Sequence, residues 1–135
     1  MKTKPVIDRI KTECPLYKAA GFPTSLEPVD EMAATPAAFA HWDSEGSLPR
    51  NVIITSQKRT ITFAVLSVAQ LISVDGLSEP IEDAREQLID KIVGWKPADN
   101  LEPATHAGAE VIDIRGDMIW VKDYFQATKY HRSTN

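Results

Sequence analysis

Residues 81–125 read IEDAREQLIDKIVGWKPADNLEPATHAGAEVIDIRGDMIWVKDYF, and the fold turns on this stretch. Its apolar residues start at helical spacing: Ile81, Ala84, Leu88, Ile89, Ile92 and Val93 share one face of a 3.6-residue period. Gly94 and Pro97 stop the helix, with Trp95 between them. Glu82 and Asp83 fall in the first turn and Lys91 in the last, where the helix dipole favours each sign, and Ser78 is placed to cap the start. A polar loop from Lys96 to Gly108 follows. Ala109 to Ile114 and Met118 to Phe125 are then rich in strand formers and fold back at Arg115-Gly116-Asp117, which predicts a hairpin. No group in the stretch is arranged for chemistry. Its apolar and aromatic side chains are arranged to bury surface.

Working towards the N-terminus, Thr60 to Ile72 carries apolar residues on both faces of an extended chain, Ile61, Phe63 and Val65 on one and Ala64, Leu66 and Val68 on the other. That pattern predicts a central strand covered on both sides. Val52 to Gln57 reads as strand too, with Lys58-Arg59 as a turn or a bend between the two. Asp43 to Asn51 has no apolar period and reads as an exposed loop, after a short strand from Ala37 to Trp42. Leu16 to Pro36 is punctuated by Pro23, Pro28 and Pro36 and predicts irregular structure, with a short strand and a helical turn near Asp30 to Ala34. Pro5 to Cys14 predicts a first helix: Pro5 suits an opening turn, and Val6, Ile7, Ile10 and Cys14 fall on one side. From Gln126 the chain is polar and reads as a frayed tail. The order of elements predicts an α+β fold, a small antiparallel sheet of about four strands packed against two helices and ending in a C-terminal hairpin.

The 135 residues predict a single domain, 1–135, with 126–135 as a flexible tail. A composition of 43% hydrophobic and 25% charged residues is that of an ordinary globular chain with enough apolar matter for a core. The net charge of −4 argues against a nucleic-acid-binding surface, which needs a basic excess or patch. Cys14 is the only cysteine, so no internal disulfide forms, which fits assembly in the cytosol. The basic N-terminus is followed by no apolar core of a signal peptide, and no apolar run reaches the length of a membrane span.

The candidates for chemistry each have an ordinary structural reading. His41 and Asp43 share one face of an extended chain and could ligate a metal if His106 or His131 joined them, but exposed polar residues at a strand end are commonplace. Cys14 could be a nucleophile beside a distant His, yet its place on the apolar side of a helix predicts a buried small residue. Glu82/Asp83 and Asp30/Glu31 are adjacent on helices and diverge, so neither makes a facing carboxylate pair. There is no phosphate-binding glycine loop, zinc spacing or nucleophile elbow. Of the basic clusters, Lys58-Arg59 has no interleaved aromatic, and Lys129 to Arg132 has only Tyr130, in the expected tail, which does not make a base-stacking platform. Trp95, Trp120, Tyr124 and Phe125 are the residue types of core or interface anchors.

Several of these features fall in one order. Ile7-Asp8-Arg9-Ile10 leads to Cys14-Pro15; Thr35-Pro36-Ala37-Ala38-Phe39-Ala40 enters a strand; Gln57 precedes the strand through Phe63 and Val65; and the helix ending in Gly94-Trp95-Lys96-Pro97 is followed by Gly108, Trp120, Asp123 and Phe125. This order resembles the tail terminator proteins of long-tailed bacteriophages and the minor tail proteins related to them, over nearly the whole chain. The resemblance implies a structural, non-enzymatic role without cofactors. It also implies a homo-oligomeric ring, six-fold in the family, that sits on the last ring of the tail tube, ends its growth and offers a surface for head joining. The implied partners are other copies of the chain, the tail tube protein and a head-completion or neck protein, with DNA passing through the ring without specific binding and no membrane contact. The implied place is the head-proximal end of the virion tail, reached from the host cytoplasm. A ring needs a contact between two different patches. The 43–51 loop and the closing hairpin are the candidate patches, which gives Trp42, Asp43, Glu45, Arg50, Lys58, Arg59, Trp120, Tyr124 and Phe125 as candidate interface residues. Another phage connector, neck or tube protein, and a small metal-dependent enzyme, are the alternative readings.

Overall fold

The computed structural model describes residues 1–23, 35–47, 56–72, 76 and 79–132. Among them the chain forms α1 (Lys4–Glu13), β1 (Ala19–Gly21), β2 (Ala37–Ser47), β3 (Ser56–Gln70), α2 (Pro80–Ile92), β4 (Thr105–Arg115) and β5 (Met118–Arg132). The strands make one sheet in the order β1-β2-β3-β5-β4. The α+β architecture is the one the sequence predicts, with a five-stranded sheet in place of about four. The added strand, β1, lies parallel to β2, whereas every other pair is antiparallel.

The helices form where the apolar period places them. In α1, Pro5 occupies the first turn and Val6, Ile7 and Ile10 are buried, with Cys14 fully buried just beyond. In α2, Ile81, Ala84, Leu88 and Ile92 are buried, but Val93 is exposed, because the chain turns extended at that residue (ψ 129°) and leaves the helical face. Gly94 follows at φ 86°, a left-handed conformation that glycine adopts without cost. Its N–H donates to the Ala104 carbonyl at 2.9 Å, which ties the helix end to the start of β4. Arg9 of α1 binds the same region, donating from Nε to the Lys91 carbonyl at 3.0 Å while its guanidinium lies 5.3 Å from the Trp95 ring centre. Residue 79 supplies the N-cap of α2 without a side-chain hydrogen bond, and Ser78 lies outside the described residues.

Both helices cover one face of the sheet. Phe63 and Val65 of β3, Phe125 of β5 and Ala38 and Ala40 of β2 meet Val6, Ile10, Leu88 and Ile92 there. Each large aliphatic side chain removed from water contributes about 1.5–3 kcal/mol, so this layer holds the molecule together. On the opposite face Val68, Ala37, Phe39 and Met118 form a smaller cluster, and Ala64 is also fully buried. β3 therefore is covered on both sides, as its two apolar faces predict.

The strand ends differ from the sequence reading in one direction: pairing carries on through polar residues. β2 continues to Ser47 through what reads as loop, because a bulge between Trp42 and Ser44 absorbs one residue and keeps Glu45 opposite Ile61. β3 runs through Lys58-Arg59 without a turn, since Lys58 pairs with Tyr130 and Arg59 with Lys129. β5 likewise runs to Arg132, opposite Ser56, so the segment after Gln126 is strand and not a frayed tail up to that point. β4 starts at Thr105, shortening the expected loop. Gly116 opens the two-residue turn of the hairpin at φ 60°. Residues 24–34 and 48–55, with the expected helical turn and the start of the Val52 strand, lie outside the described residues.

Cys14 yields an expected result. Burial pushes its thiol up to about 11, and the side chain is fully enclosed. The folded protein is expected to resist maleimide, and labelling followed by mass spectrometry should appear only as denaturant unfolds it. Rapid labelling under native conditions would place the thiol in solvent.

Candidate functional site

One charged side chain sits where only apolar ones belong. Asp123 follows Val121 and precedes Phe125 on the helix-covered face of β5, and it is 0% exposed. Arg85 of α2 grips it in a forked pair, Nε to Oδ2 at 2.9 Å and Nη2 to Oδ1 at 2.8 Å. Nε2 of His106, in β4, lies 2.9 Å from Oδ1, so the tautomer protonated at Nε2 donates a third bond. Arg85 also reaches Glu82 at 3.1 Å, and its hydrogen bonds to Asp123 hold the guanidinium firmly protonated. Beside this group the Tyr17 hydroxyl and Ser67 Oγ share a hydrogen bond of 2.6 Å, and burial pushes the Tyr17 phenol up. The arrangement fastens α2 to β5 and β4. Arg85 and Asp123 satisfy each other, and His106 is turned onto the same carboxylate.

The sheet face away from the helices carries a surface lattice. Lys122 stands 3.9 Å from Asp43 and 5.4 Å from the Tyr124 ring centre, and the Tyr124 hydroxyl donates to Glu110 at 2.7 Å. That bond to a carboxylate raises the Tyr124 phenol to about 12. At the hairpin end Arg115 donates to Asp113 at 2.7 Å and lies 5.2 Å from the Trp120 ring centre.

An apolar strand edge and a separate cleft lie at the margins of the sheet. β4 is the outer strand of the sheet on its side, and along it Val111, Ile112 and Ile114 are 56%, 49% and 53% exposed. Bulges between His106 and Gly108 and between Val111 and Asp113 interrupt its ladder with β5. Elsewhere, a cleft of about 590 Å³ opens between the start of α1 and the 97–101 connection. Ile61 and Leu101, both almost fully buried, lie at its base, and Lys2, Asp99 and Lys129 are among the residues at its walls.

A fold stabilised by an internal ion pair, with apolar surface left over at its margins, suits a subunit of an assembly, and the family comparison bears directly on that. The family model of the phage tail terminator protein matches residues 1–135. The chain belongs to the phage tail terminator family. It is accordingly a structural protein of the phage tail, found in the virion. A chain of the solved structure "Virion of native gene transfer agent (GTA) particle" has a similar fold, with a TM-score of 0.55 and 13% identity over 93% of this chain and 91% of its own. No curated protein matches the sequence.

The fold separates the residues that the sequence nominates. Asp43, Tyr124 and Trp120 fall within the lattice on the helix-free face. Trp42, 49% exposed, pairs with Phe63 and so projects from the other, helix-covered face, while Glu45 and Arg59 pair with each other at 3.7 Å. Phe125 is corrected: it is fully buried and stacked on Phe63, so it is a core residue and not a surface anchor. Its alternation with Val121 and Ala127 is what puts it inside. Arg50 lies outside the described residues, and of Lys58 only its backbone in β3 is described. His41 and His106 do not meet: His41 Nδ1 lies 3.1 Å from the Trp42 carbonyl, and His106 is bound to Asp123. Among the described residues no three His, Cys, Asp or Glu side chains are grouped to hold a metal.

Sequence reasoning missed three features. Asp123 could have been found, because a charge in phase with Val121 and Phe125 must be paired inside, and Arg85 lies next to Ala84 on the buried stripe of α2. The run Val111-Ile112-Asp113-Ile114 signals strand but not that its outer flank stays open. The cleft joins residues from both ends of the chain and leaves no local signal.

Proposed function

We propose that the protein is a tail terminator in the full sense: a closed ring of identical subunits, six by the family's pattern, that seats on the end of the tail tube and stops its polymerisation. The opposite side of the ring is the surface that a head-completion or neck protein joins. The observation that carries this reading is the family match across residues 1–135. The fold likeness to a chain of a gene transfer agent virion supports a place in a tailed particle. The geometry adds that the subunit keeps branched apolar side chains exposed along the β4 edge, Val111, Ile112 and Ile114, as a subunit contact requires. In this reading the protein works by docking and breaks no bond. The net charge of −4 suits a ring through which DNA slides without being held.

The test is to polymerise tail tube protein with and without this chain and image the products by electron microscopy. Rings at tube ends, with tube length limited as the chain is added, are expected. Incorporation along the tube wall would make it a tube protein instead, and tubes of unchanged length with bare ends would sink the reading.

A further inference from the structure

We infer that the end of the β3–β5 ribbon, where Ser56 to Arg59 face Lys129 to Arg132, binds the phosphate backbone of duplex DNA without reading its sequence. The two basic clusters of the chain are far apart in sequence, and the fold joins them. Arg59 stands opposite Lys129 and Lys58 opposite Tyr130, and the ladder runs on to Ser56 opposite Arg132. Lys58, Arg59, Lys129 and Arg132 thus share one patch on two adjacent strands, about 5 Å apart and about 13 Å long. No acid occurs in either segment. Ser, Gln, Lys, Arg, Tyr and His fill all eight positions, and each of these residue types donates hydrogen bonds. An anion rich in oxygen acceptors matches such a set.

Composition favours phosphate over a protein surface. Neither segment holds an aliphatic residue, whereas protein interfaces are anchored by an apolar centre. Backbone phosphates are bound by these very residue types, and such contacts carry no sequence information. Two acids stand nearby. Glu45 lies 3.7 Å from Arg59, an ion pair too long for a hydrogen bond, and Asp99 shares the cleft wall with Lys129 and Lys2. An excess of base remains. On the helix-free face, by contrast, Lys122 stands beside Asp43 and Arg115 is bound to Asp113. The net charge of −4 does not describe the ribbon end, because Glu82, Asp83, Glu86 and Asp90 lie on α2 instead. Contacts made only to phosphate let a protein slide along DNA, which agrees with a duplex that passes and is not held. Binding needs only the folded subunit and does not rest on the ring reading.

The test titrates the isotope-labelled full chain with two short duplexes of unrelated sequence at low salt and follows the backbone amides by NMR. Amides of residues 56–59 and 129–132 are expected to shift, and equally for both duplexes. Neutralising about three phosphates predicts an affinity about 40-fold lower at 200 mM than at 50 mM salt. Lys129→Gln is expected to weaken both duplexes alike and to reduce the salt slope by about one. Lys122→Gln, which removes a cation already beside Asp43, is expected to leave binding unchanged. Absence of shifts at low salt, or shifts confined to other amides, would overturn the inference. Polyglutamate displacing the duplex at equal charge concentration would also overturn it and assign the patch to an acidic protein surface. No tail tube enters the experiment, so failure to cap tubes would sink the ring reading and leave this result standing.

Discussion

Arg85→Ala is expected to cost about 3–5 kcal/mol of folding stability, the range for removing one partner of a buried ion pair. The substitution strands the Asp123 carboxylate, 0% exposed, with the bond from His106 left to hold it. Arg85 itself is 16% exposed, so the pair is shielded enough for surface screening to matter little. The loss should lower the melting temperature by about 10–20 °C for a chain of this size. Urea unfolding with an unchanged slope would confirm that stability, and not compactness, is altered. Replacing both partners at once, Arg85→Met with Asp123→Leu, should recover much of the loss, because an apolar pair needs no compensating charge. An Arg85→Ala protein within about 1 kcal/mol of the parent would mean that water reaches the carboxylate and that the clamp contributes little.

Phe125→Ala should be comparably damaging, at about 3–5 kcal/mol, through the cavity it leaves between sheet and helices. Its ring is fully buried, stacks on Phe63 with centroids 5.5 Å apart, and receives the edge of the His106 ring at 5.3 Å. Phe125→Leu keeps most of the volume and should cost about 1.5 kcal/mol or less. The comparison separates a core residue from an interface anchor. A core residue loses stability in the isolated subunit, measured by denaturant unfolding. An anchor would leave that unchanged and lose only association with tubes.

What the sequence made legible is what repeats with a period. The buried faces of α1 and α2, the two-sided burial of β3 and the turn at Gly116 all follow from spacing within a dozen or so residues. Strand lengths were hidden because a polar strand end is held by its neighbour and not by its own composition: Ser56 to Arg59 and Thr128 to Arg132 stay extended because they face each other. The parallel strand β1 was hidden for the same reason, since three small residues are recruited by the start of β2. The candidate surfaces were harder still. Asp43, Tyr124 and Trp120 share a face only because β2 and β5 flank β3, and the cleft needs Lys2 and Lys129 brought together from opposite ends of the chain.

The pairing of β3 with β5 from Ser56↔Arg132 to Gln70↔Met118 sets the timing of the molecule's birth. The strand that lies between β3 and β4 is the last of the described elements to leave the ribosome, so the sheet stays split, and the partner of its central strand missing, until translation has passed Arg132. Joining segments so far apart along the chain is also slow once both exist. Until then β3 offers an open apolar flank to anything nearby, and a nascent chain is vulnerable to premature clumping with its neighbours on the same messenger. A message cut short after the second helix would therefore yield no functional fragment, only a half-sheet with nothing to close it.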